Sequence, residues 1–161
     1  MKRDGGAVNG KTSFPVKRSF SLPLPRNNLS KTENTMDIIG IGTDIVEVER
    51  IAAVLARHAE SFNSRLLTEK EIELAVKKGN PVTFYAGRWA AKEACAKALG
   101  CGIGAHCNFT DIEILNDASG KPQITLNGAG KAAFEQLGGK KIMLSISHER
   151  HYAVATVVIS G

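Results

Sequence analysis

Between residues 37 and 45 the chain reads DIIGIGTDI, and the spacing of its glycines limits what can lie against it. The run is short, apolar and rich in isoleucine, which predicts a buried β-strand. Side chains alternate across a strand, so Ile39, Ile41 and Thr43 share one face, and Gly40, Gly42 and Asp44 the other. Two glycines leave that second face bare, so another element can approach its backbone closely. Asp44 stands at the end of the bare face. A carboxylate finishing an apolar strand is costly to bury without a partner. It serves either as the N-cap of the next helix or as part of a site.

Helical periodicity follows. Val48, Ile51, Leu55, Ala59 and Phe62 make a core stripe, with Arg50, Val54 and Arg57 on a different face. Thr68–Glu71 spells T-x-x-E, a capping box that opens a second helix. KKGNP ends it, with lysines in the last turn and Gly79 beyond. Pro81 suits the first turn of a third helix running to about Leu99. FTDIEIL (109–115) and QITLN (123–127) predict a hairpin, residues 128–137 a short amphipathic helix, and IMLSIS (142–147) with YAVATVVIS (152–160) a second hairpin around HERH. The order β-ααα-ββ-α-ββ, with mostly antiparallel strands, predicts an α+β fold.

The third helix contains WAAKEACAK (89–97). At about 100° per residue, Trp89, Glu93 and Lys97 line one stripe with Lys92 beside it. Ala90, Ala91, Ala94, Cys95 and Ala98 form a side small enough for close packing on a sheet. By itself, Glu93–Lys97 is an i,i+4 ion pair worth roughly 0.2–0.5 kcal/mol on an exposed face. Asp44 shifts that balance, because a strand-end acid and a mid-helix acid can converge on one cation. Mg²⁺ takes one or two protein carboxylates and completes its shell with water and substrate phosphates.

Other motifs carry less. GCGIG (100–104) follows a helix, whereas nucleotide loops place glycines between a strand and a helix N-terminus, so it reads as a helix cap. SISHERHY (145–152) sets two histidines around a turn, and no G-x-S-x-G supports a hydrolase triad. Cys95, Cys101 and Cys107 show no C-x-x-C and, with His106, no usual zinc spacing; they read as free thiols of a reducing, cytoplasmic setting. No apolar run approaches the ~20 residues of a membrane span.

The net charge of +5 invites a nucleic-acid reading until it is mapped. Residues 1–35 hold seven basic and two acidic side chains, which account for all of it, and residues 36–161 balance at 14 of each. The folded part therefore loses the main support for a polyanion partner. The leader, residues 1–35, is polar, contains proline and lacks a period, which predicts disorder. A cloning-derived leader, an upstream start codon before Met36 and an organelle transit peptide are its candidate origins.

GIGTDIVEVERI (40–51) together with FYAGRWAAKEACAKALGCGIG (84–104) resembles the holo-acyl-carrier-protein synthase type of phosphopantetheinyl transferase. That family's strand ending in G-x-D and its later [FW]-x-x-K-E-[AS]-x-x-K match Gly42-Thr43-Asp44 and Trp89 to Lys97. GKP (120–122), FTDIEI and HERHYAVATVVI are also similar, so the likeness covers residues 36–161. The resemblance implies transfer of phosphopantetheine from coenzyme A to a serine of acyl carrier protein, as in fatty acid biosynthesis, with release of adenosine 3′,5′-bisphosphate. It implies that Asp44 and Glu93 hold Mg²⁺, that Lys97 assists the leaving group, and that Lys92, Arg88 and His148 contact coenzyme A, the last two at its extra phosphate. It implies Arg50 and Arg57 as docking points for an acidic carrier helix, and a homotrimer with sites between subunits. A different Mg²⁺-dependent phosphoryl-handling protein, or a nucleic-acid module resting on the leader, are the competing readings.

Overall fold

The computed structural model describes residues 37–79, 81–104 and 106–161, so the expectations for residues 1–35 and Met36 lie outside the described residues. Its elements are β1 (Ile38–Glu47), α1 (Val48–Leu66), α2 (Glu69–Lys77), α3 (Val82–Ala98), β2 (Ile112–Asn116), β3 (Pro122–Leu126), α4 (Gly128–Gln136), β4 (Lys141–His148) and β5 (Tyr152–Ser160). A 3₁₀ turn at Phe109–Asp111 leads into β2. The expected element order and the α+β class are both found.

The strands form an antiparallel three-stranded sheet in the order β1-β5-β4 and a separate antiparallel hairpin of β2 and β3. Helix α3 lies on the larger sheet and touches all three strands. Its Ala90, Ala91, Ala94 and Cys95 are fully buried against Ala153, Ala155, Val157 and Ile159 of β5. Cys95 is a free thiol there, pushed up to about 12 mainly by burial.

The glycine face of β1 is the one that packs. A Cβ on Gly40 would collide with the Ala98 carbonyl, and one on Gly42 with the Ala94 carbonyl and, at 2.6 Å, with the Ala98 nitrogen. Strand and helix thus meet backbone to backbone, which only glycine allows. The isoleucines go the other way. Ile41 and Ile45 are 68% and 63% exposed, so the expectation of a fully buried strand holds for one face alone. A register shift between Ile38 and Gly40 lets Ile39 turn inward and join the core.

Two further expectations are corrected. Asp44 does not cap a helix, because β1 continues to Glu47, pairing Asp44 with Ala155 on the way. Helix α1 instead begins with the Val48 amide donating to the His151 carbonyl at 2.8 Å. Second, Ala59 leaves the core stripe because α1 kinks at His58 (φ −143°, ψ 37°). The kink shifts the phase, so Phe62 and Leu66 are buried while Ala59 faces solvent. GCGIG closes α3 as read from the sequence: Gly100 takes φ +74°, and the Cys101 and Gly102 amides both donate to Ala96 O at 3.2 Å.

Gly42→Ala is expected to cost about 1–3 kcal/mol of stability or more, as overpacking against rigid backbone does. Urea denaturation reads the loss as a lower midpoint, and an unchanged midpoint would show that the contact relaxes freely.

Candidate active site

Asp44 reaches the bare face of β1 beside α3, where Lys97 Nζ donates to its Oδ1 at 2.8 Å and to the Thr43 carbonyl at 3.1 Å. The Asp44 side chain is 16% exposed and that of Lys97 49%, so the pair opens to solvent. Glu93 lies one helical turn before Lys97 and is half-buried. Burial pushes the Glu93 carboxyl up, the Asp44 charge pushes it further, and Lys97 pulls it back. Asp44 and Lys97 thus meet in one chain, with Glu93 near enough to feel both charges.

Two partly desolvated acids that repel each other, answered by one ammonium, are short of positive charge. Their hard oxygen donors fit Mg²⁺. Among the described residues no group of three His, Cys, Asp or Glu side chains gathers to hold a metal, so further ligands would come from water and substrate.

Arg88 and His148 also meet, but elsewhere. Both line a cleft of about 260 Å³ with Lys78, Thr83, Gly120 and Pro122, and no carboxylate lines it. Lys78 and Arg88 give its lining a positive character. None of Asp44, Glu93 and Lys97 lines this cleft. On α3, Arg88 and Glu93 are five residues apart, roughly 140° around the helix.

A larger cleft, about 870 Å³, runs between α1 and the segment before β2, lined by Ile51, Val54, Phe62, Ile103 and Phe109, with Arg50 and Arg65 among its polar residues. Trp89 lines it too, stacked on Phe62 at 5.9 Å and tilted against Phe109 at 5.0 Å. Arg50 and Arg57 are both exposed on α1.

Residues 40–157 match the family model of the 4′-phosphopantetheinyl transferase superfamily. A holo-[acyl-carrier-protein] synthase of Shewanella frigidimarina is 49% identical over 126 residues, covering 78% of this chain and 100% of that protein. The chain belongs to the holo-[acyl-carrier-protein] synthase family. Among solved structures, the Neisseria meningitidis synthase superposes with a TM-score of 0.71 at 40% identity, covering 76% of this chain and 98% of that one. The Helicobacter pylori synthase in complex with coenzyme A gives 0.67 at 38% identity, covering 74% and 99%. The protein is thus an enzyme, a phosphopantetheinyl transferase acting on acyl carrier protein.

Within this synthase fold one residue departs from expectation. Lys92 does not lie beside the open stripe. Its side chain is fully buried, and Nζ donates to Glu71 Oε2 at 2.6 Å, Leu66 O at 2.6 Å and Phe109 O at 3.0 Å. An ammonium has three donors, and all three are used, so none remains for a coenzyme A phosphate. Burial pushes the Lys92 amine down, and the Glu71 carboxylate opposes that.

Glu71 is the residue that sequence reasoning undervalued. The capping box exists: Thr68 N donates to Glu71 Oε2 and Glu71 N to Thr68 Oγ1. Yet Glu71 is fully buried, its Oε1 also accepts from the Ile114 amide at 3.2 Å, and Arg88 Nε stands 3.5 Å from that oxygen as an ion pair. A signal was available. Arg88 and Lys92 are four apart on the face of α3 that carries Ala91 and Cys95, and two cations buried at that spacing require a buried acid.

Lys92→Met is expected to destabilise the fold by about 3–5 kcal/mol, because it strands the Glu71 charge in the core. Denaturant melts would read this directly. Near-native stability would mean that Glu71 finds another cation.

Proposed function

We propose that the protein moves 4′-phosphopantetheine from coenzyme A to a carrier serine, with Mg²⁺, releasing adenosine 3′,5′-bisphosphate. The Asp44–Glu93–Lys97 cluster carries this reading. Asp44 and Glu93 would hold the ion, which when bound supplies Lewis-acid stabilisation of diphosphate charge. The serine hydroxyl oxygen, whose proton passes to water beside Asp44, forms a bond to the phosphorus bearing pantetheine, and the bond from that phosphorus to the bisphosphate oxygen breaks. Lys97, held by the Thr43 carbonyl and Asp44, stands where it can neutralise and protonate the departing oxygen. Arg88 and His148 receive the extra phosphate of the nucleotide in the small cleft. Positioning and charge do most of the work in such transfers. The catalytic unit is residues 36–161, and the place of action is the cytoplasm, in fatty acid biosynthesis; the free thiols suit its reducing conditions.

We propose a homotrimer with shared sites. On the outward face of the main sheet Ile45 pairs with Val154, and Ile41 and Met143 flank Val158. Ile41, Ile45, Met143 and Val154 are all exposed. Only the Thr43–Thr156–Ser145 row separates these two apolar patches, and monomers rarely leave so much apolar surface open. The separation of the anion cleft from the paired acids supports completion of each site by a neighbouring copy. In light scattering Ile45→Asp is expected to give monomers, whereas a monomeric unaltered protein would end the proposal.

Apo carrier incubated with the enzyme, coenzyme A and Mg²⁺ is expected to gain one phosphopantetheine by mass spectrometry. Asp44→Ala and Glu93→Ala should abolish the gain while melting normally, and full activity in either variant would refute its metal role. Arg50 and Arg57 dock the acidic carrier. Arg57→Glu is therefore expected to raise KM for the carrier at least tenfold and flatten its salt dependence. An unaltered salt profile would remove α1 from docking.

A further inference from the structure

Arg88 is 5% exposed, and its guanidinium is held from three directions. The Phe84 ring lies 4.5 Å from its central carbon, a cation–π contact one turn back on α3. Glu71 Oε1 stands 3.5 Å from Nε, while that carboxylate is committed to Lys92 and the Ile114 amide. Asn116 Oδ1 accepts from Nη2 at 3.1 Å. Phe84 and Glu71 set the plane and depth of the group. Asn116, the last residue of β2 and exposed at the lip of the small cleft, sets its rotation.

The Asn116 amide cannot simply turn over. Its Nδ2 donates to the Gly120 carbonyl at 2.6 Å, so the oxygen end must face Arg88. Gly120 takes φ +86°, a conformation that favours glycine and fixes where that carbonyl stands. A guanidinium binds phosphate best through two parallel N–H groups, and a rotated fork loses one of them.

We infer that Asn116 is a positioning residue that aims Arg88 at the 3′-phosphate of coenzyme A, and so sets discrimination against dephospho-coenzyme A. The inference rests on the reading that Arg88 and His148 receive this phosphate. Asn116 belongs to the β2–β3 hairpin, outside the two motifs that carry the chemistry.

The experiment measures kcat and KM with coenzyme A and with dephospho-coenzyme A, which lacks the 3′-phosphate. Asn116→Ala is expected to raise KM for coenzyme A roughly tenfold, the effect of losing about one charge-assisted hydrogen bond, with kcat within about twofold. Its KM for dephospho-coenzyme A should not move. Asn116→Leu, which keeps the volume, should behave alike, and both variants should melt with the unaltered protein. In an Arg88→Ala background, which itself loses discrimination, Asn116→Ala should add nothing. An equal rise for both substrates, no rise for either, or an additive effect without Arg88 would overturn the positioning role alone. Unaltered protein that treats the two substrates alike would overturn the phosphate reading and the inference with it.

Discussion

The meeting of Asp44 and Lys97 beside Glu93 depends on the backbone contact between β1 and α3. Gly40 and Gly42 bring the strand onto the Ala94 and Ala98 carbonyls, and that approach sets the height of Asp44 relative to the helix. With any side chain at Gly42 the strand would have to retreat from a helix otherwise faced with alanine. Lys97 would then lose its hold on the Thr43 carbonyl, and Asp44 would leave the neighbourhood of Glu93. Two residues without side chains thus determine where three charged ones meet.

A second constraint sits behind the first. The buried Glu71 joins the start of α2 to α3 through Lys92 and Arg88, and to β2 through the Ile114 amide. Thr68 Oγ1 and Lys70 extend the array to Glu113. Such an arrangement gives little net stability compared with an apolar core, but it is intolerant of losing one member. Its value here is geometric: it ties the helix that carries Glu93 and Lys97 to the hairpin that carries Asn116.

Much of this could be read from the residues. Period-two alternation in DIIGIGTDI located the bare face, the capping box located α2, and the 89/93/97 stripe located the open side of α3. What failed was what periodicity does not contain. Alternation assigns two faces but not which is covered, so the exposed isoleucines were missed. The stripe of Val48 to Phe62 assumed one continuous helix, and the non-helical backbone at His58 broke it. Helical angle sets Lys92 beside the Trp89–Glu93–Lys97 stripe, but it contains nothing about Glu71, whose carboxylate holds that amine inside. Asn116 carried no sequence signal, since its role arises only when a hairpin folds against the helix.

Cys95 lies inside the α3 contact with the sheet, fully buried and with its thiol pushed up to about 12. An alkylating reagent can reach that sulfur only when the helix lifts, and only the thiolate reacts. The rate at which Cys95 is modified is consequently a built-in clock for local opening, ticking each time Asp44 and Glu93 part company.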